Sequence, residues 1–209
     1  RSRVHREQII MPRKGYSALP LKYRTFVAIE VSAAVKERAA ALVRELEHQS
    51  TGVRWVKPES MHVTRAFLGE VLAEGIPDVC RAVDVAVQEQ SPFGIHLAGV
   101  GAFPNVSRPR TVWLGVGEGA EQLVEIERVL RNQLAELGFP REKRAFTPHL
   151  TLGRVREVRR GASQLSEPLA AQRDYNAGRM QVREVIVFSS ELNPRGPVYT
   201  ALGRSKLSG

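Results

Sequence analysis

The stretch FTPHLTLGR occupies residues 146–154, and the stretch MHVT at residues 61–64 repeats its central pattern. Both contain His-x-Thr among apolar and β-branched residues, which is typical of a β-strand. Side chains two apart on a strand point to the same face, so each copy presents an imidazole and a hydroxyl together. Val63 and Leu150 then point to the opposite face, into the packing. The two stretches therefore predict two equivalent strands that each supply half of one polar site.

The rest of the chain predicts an α+β fold built from a duplication. The patterns predict strands at residues 25–31, 53–56, 61–68, 93–100, 111–116, 146–152, 181–189 and 198–202, and helices at 33–49, 77–89, 121–137 and 163–173. Strand pairs alternate with single helices without a regular β-α-β order, which favours antiparallel sheets. The two His-x-Thr copies lie roughly 90 residues apart, which exceeds solenoid periods and favours a two-fold duplication.

Composition limits the class of protein. The 209 residues are 43% hydrophobic and 25% charged, as in ordinary globular proteins. A net charge of +9 is compatible with a polyanionic partner or with a merely basic surface. The single cysteine, Cys80, excludes an intrachain disulfide and a multi-cysteine metal site, and it fits a reducing compartment. No apolar run approaches the length of a membrane span, so we expect a cytoplasmic protein without membrane contact.

The first residues are set apart by charge. Residues 1–20 are rich in Arg and Lys, and no apolar segment follows them as it would in a secretory signal. We expect this basic N-terminal tail to be flexible or a remnant of cloning. Residues 21–209 are predicted to form a single bilobal domain.

Two histidines paired with threonines suit the cleavage of a phosphodiester. In-line displacement at phosphorus needs one group to take a proton from the attacking oxygen and another to give a proton to the leaving oxygen, on opposite sides. Imidazoles titrate near neutral pH and can serve in both states, while hydroxyls can donate to the non-bridging oxygens. No metal is required. The other histidines are predicted to be solvent-facing or structural: His5, His48 and His96.

Two other interpretations of the motif remain at this point. The two histidines could be unrelated strand residues, each bonded to a neighbouring carbonyl. A zinc site is less favoured, because the histidines share no helix and neither motif contains Asp, Glu or Cys.

The sequence resembles the two-histidine (2H) phosphoesterase superfamily, and within it the LigT-like RNA 2′,3′-cyclic phosphodiesterases. The similarity extends over about residues 24–204 and rests on these motifs: RTFVAI at 24–29, MHVT at 61–64, FLGE at 67–70, RPRTVW at 108–113, FTPHLTLGR at 146–154 and GPVY at 196–199.

The resemblance implies a bilobal fold with two antiparallel sheets lining a central groove and helices outside. It also implies opening of a terminal RNA 2′,3′-cyclic phosphate to a 2′-phosphate, without metal or cofactor. His149 would be the proton acceptor and His62 the proton donor, with Thr64 and Thr151 on the phosphate. Relatives can also join RNA ends through a 2′–5′ linkage. The near-symmetry of the two motifs does not by itself distinguish acid from base.

Three arginines lie near the motifs at positions where strand alternation or a loop affects their role. Strict alternation places Arg65 on the helix-packed face, where family members usually have an apolar residue. We expect the Arg65 guanidinium to snorkel out to water between the helices. The alternative is that the strand bulges and turns the Arg65 side chain towards the RNA. Strict alternation also turns Arg154 away from the face on which Thr151 lies. A bulge at Gly153 would return Arg154 to that face and make it a phosphate ligand. Arg110, in a proline-containing loop, is a weaker phosphate or RNA contact.

Aromatic side chains could stack on a terminal base. The candidates are Phe26, Phe103 and Tyr199, of which Phe26 fits the core better than a stacking surface. Besides a metal-independent RNA cyclic phosphodiesterase acting as a monomer, the sequence leaves two functions open. One is a non-catalytic RNA-end binder. The other is a related enzyme for another small diester, such as an ADP-ribose cyclic phosphate or a 2′–5′ oligoadenylate.

Overall fold

The computed structural model describes residues 20–141, 145–156, 158–194 and 196–209, with the backbone alone for 158–164. The predicted basic tail, residues 1–20, lies outside this part of the chain except for its last residue. None of the helices within the described residues has the length and apolar run that a bilayer crossing requires.

Strands and helices alternate irregularly along the chain. The strands are Lys22–Glu30 (β1), Val53–Trp55 (β2), His62–Leu72 (β3), Phe93–Phe103 (β4), Thr111–Val116 (β5), His149–Val155 (β6), Asn176–Val182 (β7), Glu184–Asn193 (β8) and Gly196–Lys206 (β9). The helices are Ala33–His48 (α1), Ile76–Val87 (α2), Ala120–Glu136 (α3) and Val158–Ala171 (α4).

The strands form one antiparallel sheet with two matching halves. Its order is β7-β4-β5-β6-β3-β1-β8-β9, and β2 pairs with residues 153–155 of β6, on the side of that strand where β3 pairs at Leu150. The halves meet where β3 lies beside β6, with Val63 and Leu150 as register partners. In one half β1, α1 and β3 follow the same course as β5, α3 and β6 in the other. This confirms the predicted α+β class with antiparallel pairing; the two expected sheets are the halves joined at β3 and β6.

All four helices cover one face of this sheet. Buried residues of α1, α2, α3 and α4 share one apolar core with strand residues such as Val27, Ile29 and Leu114. A smaller apolar cluster, made of Phe26, Ala28, Ile186 and Phe188, belongs to the alternate positions of β1 and β8. It therefore lies on the opposite face of the sheet, which we call the open face.

Two predicted elements differ from the structure. β6 begins at His149, whereas a strand was predicted from residue 146, so Phe146 precedes the strand. β7 was not predicted as a separate strand. It pairs only with β4, at the edge of the sheet, and Gly178 within it has φ of 102°. An edge strand interrupted by glycine has weak period-two alternation, which explains the missed assignment.

Candidate active site

The sheet register brings the two motifs side by side. Val63 and Leu150 are register partners on the antiparallel strands β3 and β6, and both are 0% exposed. Since they face the helices, the residues on either side of them face the opposite way, onto the open face. The predicted inward orientation of Val63 and Leu150 is confirmed.

Four polar side chains consequently meet on the open face. In the register set by the central pair, His62 stands opposite Thr151 and Thr64 stands opposite His149. All four are partly exposed. Opposed residues of an antiparallel pair have their Cβ atoms about 5 Å apart, so two imidazoles and two hydroxyls surround one small area.

Each imidazole is held in the same way. The Nδ1 atom of His62 lies 2.8 Å from the carbonyl oxygen of Ser60, and the Nδ1 atom of His149 lies 2.7 Å from that of Thr147. A carbonyl only accepts, so Nδ1–H donates in both rings and Nε2 is the atom left for chemistry. A bond to a neighbouring carbonyl was also expected if the two histidines were unrelated structural residues. Here the two bonds orient imidazole rings that lie close to each other on one face of the sheet.

Aromatic rings support both imidazoles. The His62 ring centroid lies 4.8 Å from that of Phe26 and 5.3 Å from that of Tyr199, which is edge-on. The His149 centroid lies 5.0 Å from that of Phe103 and 6.3 Å from that of Trp113. These walls restrict ring motion and reduce contact with water, which raises the cost of charging the imidazoles.

Both histidines are neutral in the free protein at pH 7. Burial lowers the pKa of His62 to about 4; the bond to Ser60 opposes this effect and the charge of Lys36 adds to it. Burial also lowers the pKa of His149, opposed by the bond to Thr147 and assisted by the charges of Arg154 and Arg65. A bound phosphate anion would favour the charged imidazoles and raise both pKa values.

A bulge turns Arg154 to the open face. Thr151 is the register partner of Trp113 and Gly153 that of Val112, so Leu152 is the extra residue. Leu152 and Gly153 are both buried, and Arg154 is exposed. The sequence predicted a bulge at Gly153 for this purpose, and the structure has it at the preceding residue. The charge of Arg154 acts on His149, and its role as a phosphate ligand stays a prediction.

The candidate RNA contacts have different positions. Phe26 is 3% exposed and packs on His62, as expected of a core residue, so its ring is not open to a stacking base. Tyr199 is partly exposed and lies beside His62. The backbone of Arg110, just before β5, bonds to Phe103 and Val155, but no described contact joins its side chain to either histidine.

Arg65 is buried, contrary to the expectation that it snorkels to water. It is 5% exposed and is the extra residue of a bulge, because Val27 pairs with Ala66 and Ala28 pairs with Thr64. The bulge leaves the side chain on the helix face and does not turn it to the open face. Strand alternation predicted the correct face; α3, which covers that face, blocks the route to water.

Buried Arg65 has an unusual set of contacts. One guanidinium nitrogen, Nη2, donates to the carbonyl of Leu123 in α3, and the group lies 4.1 Å from the ring centre of Phe146. Its Nε and Nη1 have no hydrogen-bond partner among the described residues. Burial lowers the pKa of Arg65 to about 9, against the charge of Glu127. Arg65 thus places a positive charge near the segment that leads into His149.

Replacing Arg65 with Met should raise the pKa of His149, because one of the two positive charges acting on it disappears. The alkaline limb of the kcat/KM profile should move to higher pH, because this limb reports the higher of the two pKa values and His149 is easier to charge than His62. The unfolding free energy should not fall by more than about 1 kcal/mol, since removal of a buried charge offsets the missing hydrogen bond. Arg131→Met is the matched control, because Arg131 also lies beside Glu127. An unmoved alkaline limb in Arg65→Met would contradict this role.

Sequence reasoning missed two supporting residues. Trp113 packs beside His149, and Gly101 opposite it leaves the space: a Cβ there would overlap the indole ring. Arg54, on β2, is the register partner of Arg154. Alternation alone shows only that Arg54 faces away from Val53 and Trp55; the pairing of β2 with β6 places it at the site.

Metal-binding chemistry was also compared with the geometry. Among the residues that the structure describes, no group of three or more His, Cys, Asp or Glu side chains could hold a metal ion. Metal independence stays a prediction, tested below.

Comparison with known families agrees with the duplication. Residues 29–113 and residues 114–199 each match the family described as LigT like Phosphoesterase. Together the matches span most of the chain, and each contains one His-x-Thr motif. The chain belongs to the LigT-like phosphoesterase family, as the sequence motifs predicted.

Individual relatives resemble the chain over nearly all of their length. The RNA 2′,3′-cyclic phosphodiesterase of Archaeoglobus fulgidus is 38% identical over 180 residues, which is 86% of this chain and 97% of the relative. That of Thermotoga maritima is 34% identical over 186 residues, 89% of this chain and 96% of the relative. Escherichia coli LigT complexed with 3′-AMP has a TM-score of 0.73 and 27% identity, covering 90% of this chain and 100% of that one.

Proposed function

We propose that this protein is an RNA 2′,3′-cyclic phosphodiesterase that opens a terminal cyclic phosphate to a 2′-phosphate. The observation that carries the proposal is the pair of His-x-Thr motifs on adjacent antiparallel strands, each imidazole oriented by a carbonyl two residues before it. The names of the relatives support the substrate.

Each polar group of the site has a task in this reaction. Nε2 of His149 takes a proton from water as the water oxygen attacks phosphorus. The bond from phosphorus to the 3′ oxygen breaks, and protonated His62 gives its Nε2 proton to that oxygen. Thr64 and Thr151 donate to the non-bridging oxygens, where charge accumulates. Exchange with solvent then removes the proton from His149, and His62 is protonated again when the next substrate binds.

The assignment of donor and acceptor comes from the family resemblance. Burial makes His62 the harder of the two to charge in the free protein, so the proposal requires substrate to supply the compensating charge. The bound cyclic phosphate is an anion, and an anion within a few ångströms raises the pKa of an imidazole. Substrate binding thus prepares the donor. With a 5′-hydroxyl in place of water, the same steps form a 2′–5′ linkage, which we include as a second reaction of this site.

The pH profile should show this coupling. In the free protein the donor His62 loses its proton as the pH rises above its pKa of about 4. The pKa of the acceptor His149 is lowered from its usual value of 6.5, so His149 is already neutral at pH 6.5. The kcat/KM profile, which reports the free enzyme, should therefore be bell-shaped with its maximum below pH 6.5. The kcat profile should have its maximum at higher pH, because bound substrate raises both pKa values. Identical maxima for the two profiles would contradict this account.

The deciding experiment is turnover of a nucleoside 2′,3′-cyclic phosphate in excess EDTA, with the product identified by phosphorus NMR. We expect the 2′-phosphate at an undiminished rate. Absence of turnover with tight binding would favour an RNA-end binder. Faster turnover of an ADP-ribose cyclic phosphate or a 2′–5′ oligoadenylate would favour the third candidate. We also propose a cytoplasmic monomer, for which light scattering should give a mass near 23.2 kDa.

A further inference from the structure

Three arginines surround Tyr199 on the open face. Arg54 and Arg154 are register partners on β2 and β6. Arg24 lies on β1, two residues before Phe26 and hence on the same face. The charges of Arg154, Arg24 and Arg54 all act on the Tyr199 hydroxyl, lowering its pKa against the larger effect of burial. We call Arg24, Arg54 and Arg154 the arginine cluster.

The orientation of Arg54 follows from its neighbours. A Cβ on Gly153 would lie 2.6 Å from the Trp55 ring and 2.9 Å from Val53. Val53 and Trp55 therefore cover the helix side of Gly153, and both pack against the main core. Arg54, between them, must point to the open face, where Arg154 also points.

Among the residues that the structure describes, the arginine cluster has no acidic partner. Within the described residues, none of its members forms an ion pair with a carboxylate. Glu70 is the register partner of Arg24, yet its carboxylate lies 3.4 Å from the Lys22 Nζ instead. Like charges directly opposite each other on a sheet are destabilising. An unpaired cluster of this kind indicates a site for an anion that comes from outside the protein.

The position of Arg54 separates this anion from the reacting phosphate. The reacting group belongs where Val63 pairs with Leu150, whereas β2 lies on the same side of β6 as β3 and pairs further along it, with Arg54 opposite Arg154. Arg54 is thus displaced along β6 by three residues from Thr151, about 10 Å. Guanidinium groups bind phosphate oxygens through paired hydrogen bonds, and an RNA strand carries a second phosphate one nucleotide before its cyclic end.

We propose that Arg54 and Arg24, beside Arg154, bind the phosphate on the 5′ side of the terminal nucleotide. This inference rests on the proposed function and deepens it: the enzyme takes the end of a strand in preference to a free nucleoside cyclic phosphate. The anion recognised is a phosphate monoester or diester at the 5′ oxygen, so a single added phosphate should provide most of the gain.

The test compares three substrates that differ by one step each. They are a nucleoside 2′,3′-cyclic phosphate, the same compound with a 5′-phosphate, and a dinucleotide with the same cyclic end. We expect kcat/KM to rise by about tenfold or more on adding the 5′-phosphate, the gain typical of a charge-assisted bond. The dinucleotide should add little beyond that. A gain that appears only with the second nucleoside would overturn the inference, because it would indicate base recognition.

Substitutions then assign the effect to residues. In Arg54→Gln and Arg24→Gln, the kcat/KM ratio between the phosphorylated and unphosphorylated substrates should fall by about tenfold. The slope of log kcat/KM against log salt for the dinucleotide should become shallower, because one charge fewer attracts its phosphate. The control is Arg81→Gln, which removes an exposed arginine paired with Asp78 on α2; it should leave ratio and slope unchanged.

The outcomes separate the two proposals. If wild-type protein turned over none of the three substrates, the proposed function would fail and this inference with it. If it turned over all three with equal kcat/KM, or if both glutamine variants kept the wild-type ratio, only the arginine subsite would be rejected.

Discussion

Replacing His149 with Ala should lower kcat for nucleoside 2′,3′-cyclic phosphate by about a hundredfold to ten-thousandfold, and His62→Ala should do the same. General acid and general base contributions each have this size, and the two imidazoles meet on one face of adjacent strands. Neither ring belongs to the main apolar core, so both variants should remain folded by circular dichroism. Initial rates with matched protein concentrations measure the effect.

A matched control and a substrate change sharpen this test. His96 also lies on a strand, with Nε2 2.9 Å from the Asn176 side-chain oxygen, and His96→Ala should keep wild-type kcat. A nitrophenyl phosphodiester releases a leaving group that needs no proton. His62→Ala should recover activity on this diester relative to wild type, whereas His149→Ala should not. Recovery in His149→Ala alone would reverse the assigned roles, and full cyclic phosphate turnover in either variant would reject the mechanism.

Replacing Leu150 with Ala should lower the unfolding free energy by about 2–5 kcal/mol. Leu150 is 0% exposed and belongs to the single register pair that joins β3 to β6. Its truncation leaves a cavity at the place where the two halves of the sheet meet. Urea denaturation followed by fluorescence gives the difference. Leu192→Ala, at a leucine that is 70% exposed, should change stability by less than about 0.5 kcal/mol. A Leu150→Ala variant as stable as that control would contradict the central place of this pair.

The motif residues could be predicted because their information is local. His-x-Thr on a strand puts two side chains on one face whatever the rest of the chain does. Apolar Val63 and Leu150 between them determine which face is buried. The same argument predicted the helix-side orientation of Arg65, but not its burial. That depends on α3, which begins more than 50 residues later, as the hydrogen bond from Arg65 to Leu123 shows.

Bulges were harder to predict than strands. A bulge adds one residue to one strand of a pair and reverses the alternation beyond it. The extra residue Leu152 returns Arg154 to the open face, while the extra residue Arg65 does not turn its own side chain there. The sequence predicted that a bulge would turn Arg154 to the open face, because Gly153 can adopt the backbone conformation of a bulge. Only the paired strands show which residue is extra.

The sequence by itself determined the α+β class, the duplication, and the two imidazole–hydroxyl pairs, because period-two patterns and short motifs act over a few residues. The tertiary structure decided the convergence of His62 and His149, the covering of Arg65 and the pairing of Arg54 with Arg154. These three depend on the register of strands and the packing of helices distant in the chain. Such contacts are selected by burial of the common core, which no local pattern specifies.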